Sequence, residues 1–233
     1  MTEPSRESNV YDNLTGNRIG EDEMEGAIVR RASNLPTPYQ SSGSVTHLSE
    51  EQVCALTDTF QSWYDEPSHR STKKVRGRYW LTFLVLRYTG ARLQEVLLLD
   101  DSQDIDYRLG EIRLVTLKRR KKVCRTVPVP QQVVTEVARY LAEYPMMRSQ
   151  VFKLQQGNFR NVFYKMCALA GTPRGLSHPH ILRHSRAIEL CRGNVPLTIT
   201  RDILGHSSIQ TTAIYLQFSG IESKQILKDR GFI

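Results

Sequence analysis

The chain has 233 residues, 39% of them hydrophobic, which is enough for one sizeable core and too little for two full domains. Its formal net charge is +8, unevenly spread: residues 1–46 hold seven acids and four bases, a net of −3, leaving +11 for the remainder and pointing to a polyanionic partner. The four cysteines (Cys54, Cys124, Cys167 and Cys191) are far apart and lack CxxC or CxxH spacing, so they suggest neither a disulfide framework nor a zinc site. No stretch reaches the ~18 apolar residues of a membrane span, and the N-terminus MTEPSRESNV has no signal-peptide core. A soluble, cytoplasmic protein with reduced thiols and no membrane partner is expected.

In chain order, residues 1–46 are rich in Ser, Asn, Glu, Pro and Gly and read as a flexible leader, with room for one short helix around Glu21–Arg31. Ser49 then caps a helix, with Gln52 completing a capping box and Leu48 placed to staple against Val53. Val53, Leu56, Phe60 and Trp63 form its buried stripe. Arg70, Lys73, Lys74, Arg76 and Arg78 predict a basic linker, and Tyr79–Tyr88 (YWLTFLVLRY) a buried helix broken at Thr89 and Gly90. The next helix starts near Ala91 and carries Arg92 and Glu95 three residues apart on one face.

From Ile105 to Val129 the pattern has period two, with strands at Glu111–Thr116 and Arg125–Val129 joined by KRRKK, Lys118–Lys122, as a hairpin tip. Five consecutive cations without glycine suit a loop lying on a polyanion better than a tight turn. Pro130 opens a helix whose Val133, Val134, Val137 and Leu141 follow helical spacing, and a further helix over Gln156–Ala170 buries Phe159, Phe163 and Met166. The His180 helix ends at Gly193 as a left-handed cap, and a short helix ends likewise at Gly205, just before His206. Ser208 caps the helix bearing Tyr215, and a small helix is expected in 217–233. The fold class is α+β, mainly α-helical, with a small antiparallel β-hairpin or sheet at one edge. A 1–46 leader precedes a domain over 47–218, followed by a 219–233 tail.

Within HPHILRH, His180 and Arg183 share a helical face, so an imidazole and a permanent cation converge on one small anion, for which a phosphate is the natural guest. Tyr215 offers a phenol oxygen as nucleophile, and no carboxylate cluster suits Mg²⁺, so neither metal nor other cofactor is expected. Taken singly, Arg92 with Glu95 is an ordinary ion pair and each histidine an ordinary structural residue.

Taken together and in this order, TGARLQE, a lysine on a β-hairpin, HPHILRH and LGHSSIQTTAIY resemble the tyrosine recombinases, also called phage integrases, over about residues 46–218. The resemblance implies an integrase-like catalytic domain that cleaves and rejoins double-stranded DNA through a 3′-phosphotyrosine. It implies that Arg92 and Arg183 clamp the scissile phosphate, Tyr215 attacks it and Lys118 (alternatively Lys121 or Lys122) protonates the leaving 5′ oxygen. His180 and His206 assist with protons and hydrogen bonds, Glu95 orients Arg92, and His184 is set aside as packing or bonding locally. Arg119, Arg120, Lys121, Lys122, Lys73 and Lys74 are the candidate DNA contacts. A homo-tetramer on DNA, a monomer when free, and an accessory protein or second recombinase are the implied partners.

Two features depart from the family pattern. Forty-six residues do not supply the N-terminal helical domain of about a hundred residues that such proteins usually carry, and the hairpin lacks the family's common glycine. The competing readings are a DNA-binding regulator that keeps the fold without cutting, and a type IB topoisomerase using the same tyrosine chemistry.

Overall fold

A computed structural model describes residues 45–67, 69–118, 121–218, 228 and 231–232. The expected leader lies outside the described residues except for 45 and 46, as does the tail except for 228, 231 and 232. Helix α1, Glu50–Asp65, starts as its sequence dictates. The Ser49 hydroxyl accepts from the Gln52 backbone N–H at 3.3 Å, and the Ser49 backbone N–H donates to Gln52 Oε1 at 2.9 Å. Its buried stripe is Val53, Leu56, Phe60 and Tyr64; the last position goes to Tyr64, and Trp63 is only partly buried, edge-on to Tyr79.

Helix α2 runs unbroken over Arg70–Thr89, so the expected basic linker is its first half. Lysine and arginine are good helix formers, and Arg70, Lys73, Arg76 and Arg78 are occupied by the protein itself. Arg70 donates to the Glu143 carbonyl, Arg76 to the Trp63 carbonyl and Glu66, and Arg78 to the carbonyls of Gln150, Val151 and Lys153. Lys73 faces Asp65 at 3.8 Å and the Tyr64 ring at 5.2 Å. The second half is core: Trp80, Leu81, Phe83, Leu84, Val85 and Leu86 are buried, and Phe83 stacks on Phe60 with centroids 4.2 Å apart.

Helix α3, Leu93–Leu97, leads to a three-stranded antiparallel sheet in the order β1 (Ile105–Asp106), β2 (Glu111–Lys118) and β3 (Lys121–Pro128). Lys118 pairs with Lys121, so only 119–120 connect the strands and the five-residue tip is not what forms. Positive charge governs solvation, not backbone pairing, and the ladder runs on through the lysines. Ile112, Leu114 and Val127 turn the inner face of the sheet to the core.

Helix α4, Gln131–Glu143, buries Val133, Val134, Val137 and Leu141, and α5, Gln156–Leu169, buries Phe159, Phe163, Met166 and Cys167. Helix α6, His180–Arg192, packs against α2, with its own end differing from expectation: Gly193 has φ −74°, and the left-handed residue is Asn194 at φ 56°. Asparagine tolerates that region, and the backbone N–H of Val195 closes the end on the Leu190 carbonyl. Helix α7, Leu197–Leu204, ends at Gly205 with φ 69°, as expected. Ser208 caps α8, Ile209–Ala213, but Tyr215 lies beyond it in a 3₁₀ turn, Ile214–Phe218, that packs on α6. Among the described residues no helix is long and apolar enough to cross a membrane.

Candidate active site

The site is assembled around a buried carboxylate. Arg92 is the extended N-cap of α3, and Glu95, its third helical residue, folds back: Oε2 accepts the Arg92 backbone N–H at 3.0 Å and Oε1 the Arg92 Nη1 at 3.2 Å. This is the acid half of a capping box, and it leaves the Arg92 side chain 42% exposed above a Glu95 side chain that is 5% exposed. Two further groups reach the same carboxylate. Arg125 on β3 donates through Nη2 at 2.6 Å and Nη1 at 3.2 Å, and the Thr116 hydroxyl on β2 donates at 2.5 Å. Burial alone would raise the Glu95 pKa; hydrogen bonds from Arg125 and Thr116 and the charge of Arg125 outweigh it and hold the group at about 2.

The sequence reading missed Arg125. Its signal was a charged residue two positions from Val127 on the inward face of an alternating strand, opposite buried Leu114. Arg125 Nε also donates to the Ile203 carbonyl at the end of α7, so one guanidinium joins α3, the sheet and the turn before His206. Gly205 is where this needs glycine, since at φ 69° a Cβ would stand 2.8 Å from Arg125 Nη1.

A folded-state pKa lowered from about 4.5 to about 2 means that the Glu95 carboxylate adds stability above pH 4.5, and that this is lost as pH falls toward 2. Glu95→Gln is therefore expected to lower stability at pH 7 by about 2 kcal/mol. The gap to wild type should close on acidification, as read from urea midpoints between pH 2 and 7; a gap that is the same at both ends would contradict this network.

Helix α6 supplies His180, Arg183 and His184. Arg183 is 2% exposed; its Nη1 donates to the Gly90 carbonyl at 2.9 Å, while its buried Nη2 has no partner among the described residues. Gly90 closes α2 at φ 62°, and a Cβ there would stand 2.7 Å from Leu204 Cδ2. Burial and then the charge of Arg92 depress the Arg183 pKa to about 10, so it stays cationic at neutral pH. His180 is exposed; desolvation, then Arg183, His178 and Arg92, lower its pKa and favour the neutral ring. An open groove lined by Arg92, Gln94, Gln156, Arg160, His178 and His180 adjoins these residues.

His206 follows Gly205, with Nδ1 2.9 Å from the Thr212 hydroxyl and its ring nearly parallel to that of Tyr215, centroids 6.2 Å apart. Burial first, then Arg183 and Arg92, bring its pKa down to about 3, so at neutral pH it offers hydrogen bonds and not a positive charge. Tyr215 is 2% exposed, its pKa raised by burial, and its hydroxyl lies 2.9 Å from Nδ1 of His184. The structure thus brings Arg92, Glu95, His180, Arg183, His206 and Tyr215 into one neighbourhood and adds Arg125 and His184. Lys118, Lys121 and Lys122 are placed by backbone on the facing ends of β2 and β3, their side chains lying outside the described residues together with all of Arg119 and Arg120. Lys73 and Lys74 sit in the first turn of α2, where Lys73 faces Asp65 and the Lys74 carbonyl accepts from Tyr140.

Comparison with known proteins gives these contacts a context. The tyrosine recombinase XerC of Chlorobaculum parvum is 32% identical over 219 residues, an alignment covering 83% of this chain and 63% of the relative. The chain spans about three fifths of the length of the curated relatives it matches. The fold is similar to the crystal structure of XerA recombinase (TM-score 0.61, 23% identity, 84% of this chain and 67% of the other). It is also similar to XerH site-specific recombinase bound to a palindromic difH substrate in a post-cleavage complex (TM-score 0.63, 22% identity, 84% and 56%). The pattern common to the phage integrase family matches residues 46–220, three quarters of the sequence and every residue of the site just described, and the chain belongs to that family.

Proposed function

We propose that this chain cuts and rejoins duplex DNA site-specifically, with Tyr215 attacking the scissile phosphate to form a 3′-phosphotyrosine. The observation that carries the reading is the buried, unpartnered Nη2 of Arg183 beside a second arginine, two histidines and a tyrosine hydroxyl. A desolvated guanidinium donor without an acceptor is costly unless an anion completes it. A phosphodiester fits, because Arg92 and Arg183 meet the charge that gathers on its non-bridging oxygens without reorganising. His180 and His206, neutral at pH 7, donate hydrogen bonds to the same oxygens, and Lys118 protonates the leaving 5′ oxygen. The phosphotyrosine conserves the bond energy, so rejoining uses the 5′-hydroxyl alone. Arg125 and Glu95 hold Arg92 in place. Cutting two duplexes in staggered pairs requires four copies of the site, so the working form on DNA is a tetramer.

The test is incubation with genomic DNA fragments at low salt, followed by denaturation and a search for covalent protein–DNA adducts. Adducts are expected; tight binding with no adduct on any cleavable substrate would instead favour a regulator that keeps the fold without cutting.

The strand ends supply the second contact with DNA in this reading. Replacing Arg119, Arg120, Lys121 and Lys122 by neutral residues should weaken binding across all sequences. Each lost phosphate contact should flatten the slope of log K against log salt by about 0.9. An unchanged slope would show that these cations face solvent.

A further inference from the structure

Attack by Tyr215 requires its phenolic proton to leave for a base in contact with the hydroxyl. The group in contact with the hydroxyl is His184, whose Nδ1 lies 2.9 Å away. His206, across the tyrosine ring, turns its Nδ1 to Thr212, and His180 meets His184 edge to face with centroids 4.7 Å apart. The geometry points to His184 as the general base that takes the proton of Tyr215. The assignment rests on the recombinase reading and completes its proton inventory. The Nδ1 lone pair accepts the proton while the freed oxygen pair forms the Oη–P bond. The P–O5′ bond breaks, and the leaving oxygen is protonated by Lys118. In rejoining, the 5′-hydroxyl attacks phosphorus and gives its proton back to Lys118, the Oη–P bond breaks, and His184 returns its proton to Tyr215.

The surroundings keep the ring free to accept a proton. His184 faces His178, His180 and Arg183 from α6 and the turn before it, His47 from the segment preceding α1, and Tyr215 from the 3₁₀ turn; Tyr215 itself faces Arg183, His206 and Cys191. Burial, followed by these neighbours, lowers the His184 pKa to about 4, so the ring is neutral and an open acceptor throughout the neutral range. A phosphodiester seated on Arg92 and Arg183 brings a negative charge close by and raises the basicity of His184 when substrate is present. The bond also sets the tautomer: with Nδ1 accepting, Nε2 carries the hydrogen.

The test measures single-turnover adduct formation by the full chain on an end-labelled pool of genomic DNA fragments from pH 6 to 9. His184→Asn keeps a short hydrogen-bonding group but cannot hold the proton. It should be about 100-fold slower than wild type at pH 7, the ratio shrinking by up to about tenfold per pH unit as hydroxide replaces the lost acceptor. Added imidazole should accelerate His184→Ala and leave wild type unchanged. Circular dichroism checks folding, with His184→Gln taking the place of any variant that does not fold. A ratio independent of pH, or no imidazole rescue, would make the residue structural. A variant faster than wild type would make the bond a restraint on Tyr215, and either result overturns the assignment. No adduct from wild type would overturn the recombinase reading and this assignment together, whereas normal adduct formation by His184→Asn overturns this assignment alone.

Discussion

Tyr215→Phe should abolish covalent adduct formation, by at least about 10⁴-fold, while leaving DNA affinity within about twofold of wild type. The substitution removes one oxygen from a ring that is already 2% exposed, so it changes neither the electrostatic attraction to DNA nor the packing on α6. Only the His184 partner is lost, and a neutral imidazole can turn to water. Adduct capture on denaturing gels together with filter binding at one salt concentration separates the two effects. Parallel loss of binding and adduct would mean that Tyr215 shapes the binding surface and is not the nucleophile.

The second large effect belongs to Arg183, and it should divide between chemistry and stability in an unusual way. Arg183→Lys keeps the charge but loses the planar fork, so adduct formation should fall by about 10²–10³-fold. Arg183→Met should eliminate cleavage as well, yet leave stability within about 1 kcal/mol of wild type. A buried cation with one unpartnered nitrogen, repelled by Arg92, is a weak contributor to folding, and its removal offsets the loss of the bond to the Gly90 carbonyl. Thermal or urea unfolding of the methionine variant decides this. A loss of several kcal/mol would show that Arg183 is held mainly for the fold, and the phosphate-clamp argument would lose its physical basis.

Much of this arrangement was legible in the amino-acid order, because local rules govern it. The α1 capping box, the valine stripe of α4, the phenylalanines of α5 and the left-handed Gly205 each depend on neighbours within about four residues. Arg92 with Glu95, and His180 with Arg183, were readable for the same reason. What escaped depends on distant partners. The bases at the start of α2 read as a loop because the carbonyls and acids that occupy them come largely from other segments, including 143 and 150–153. Arg125 looked like an ordinary strand residue until the fold brought Glu95 and Ile203 to it. His184 differs from a packing histidine only by its contact with Tyr215, thirty-one residues away in the chain. Gly193 has the residue type of a left-handed cap, whereas the end of α6 is closed one position later by Asn194.

The central claim is that Tyr215 becomes covalently joined to DNA, and peptide mass spectrometry of the adduct tests it most directly. After nuclease and trypsin digestion, the peptide from Asp202 to Lys224 is expected to carry a residual nucleotide through a 3′-phosphate, with fragmentation placing the added mass on Tyr215. An adduct on any other residue, or an unmodified Tyr215 peptide from protein that has demonstrably cut DNA, would contradict the account.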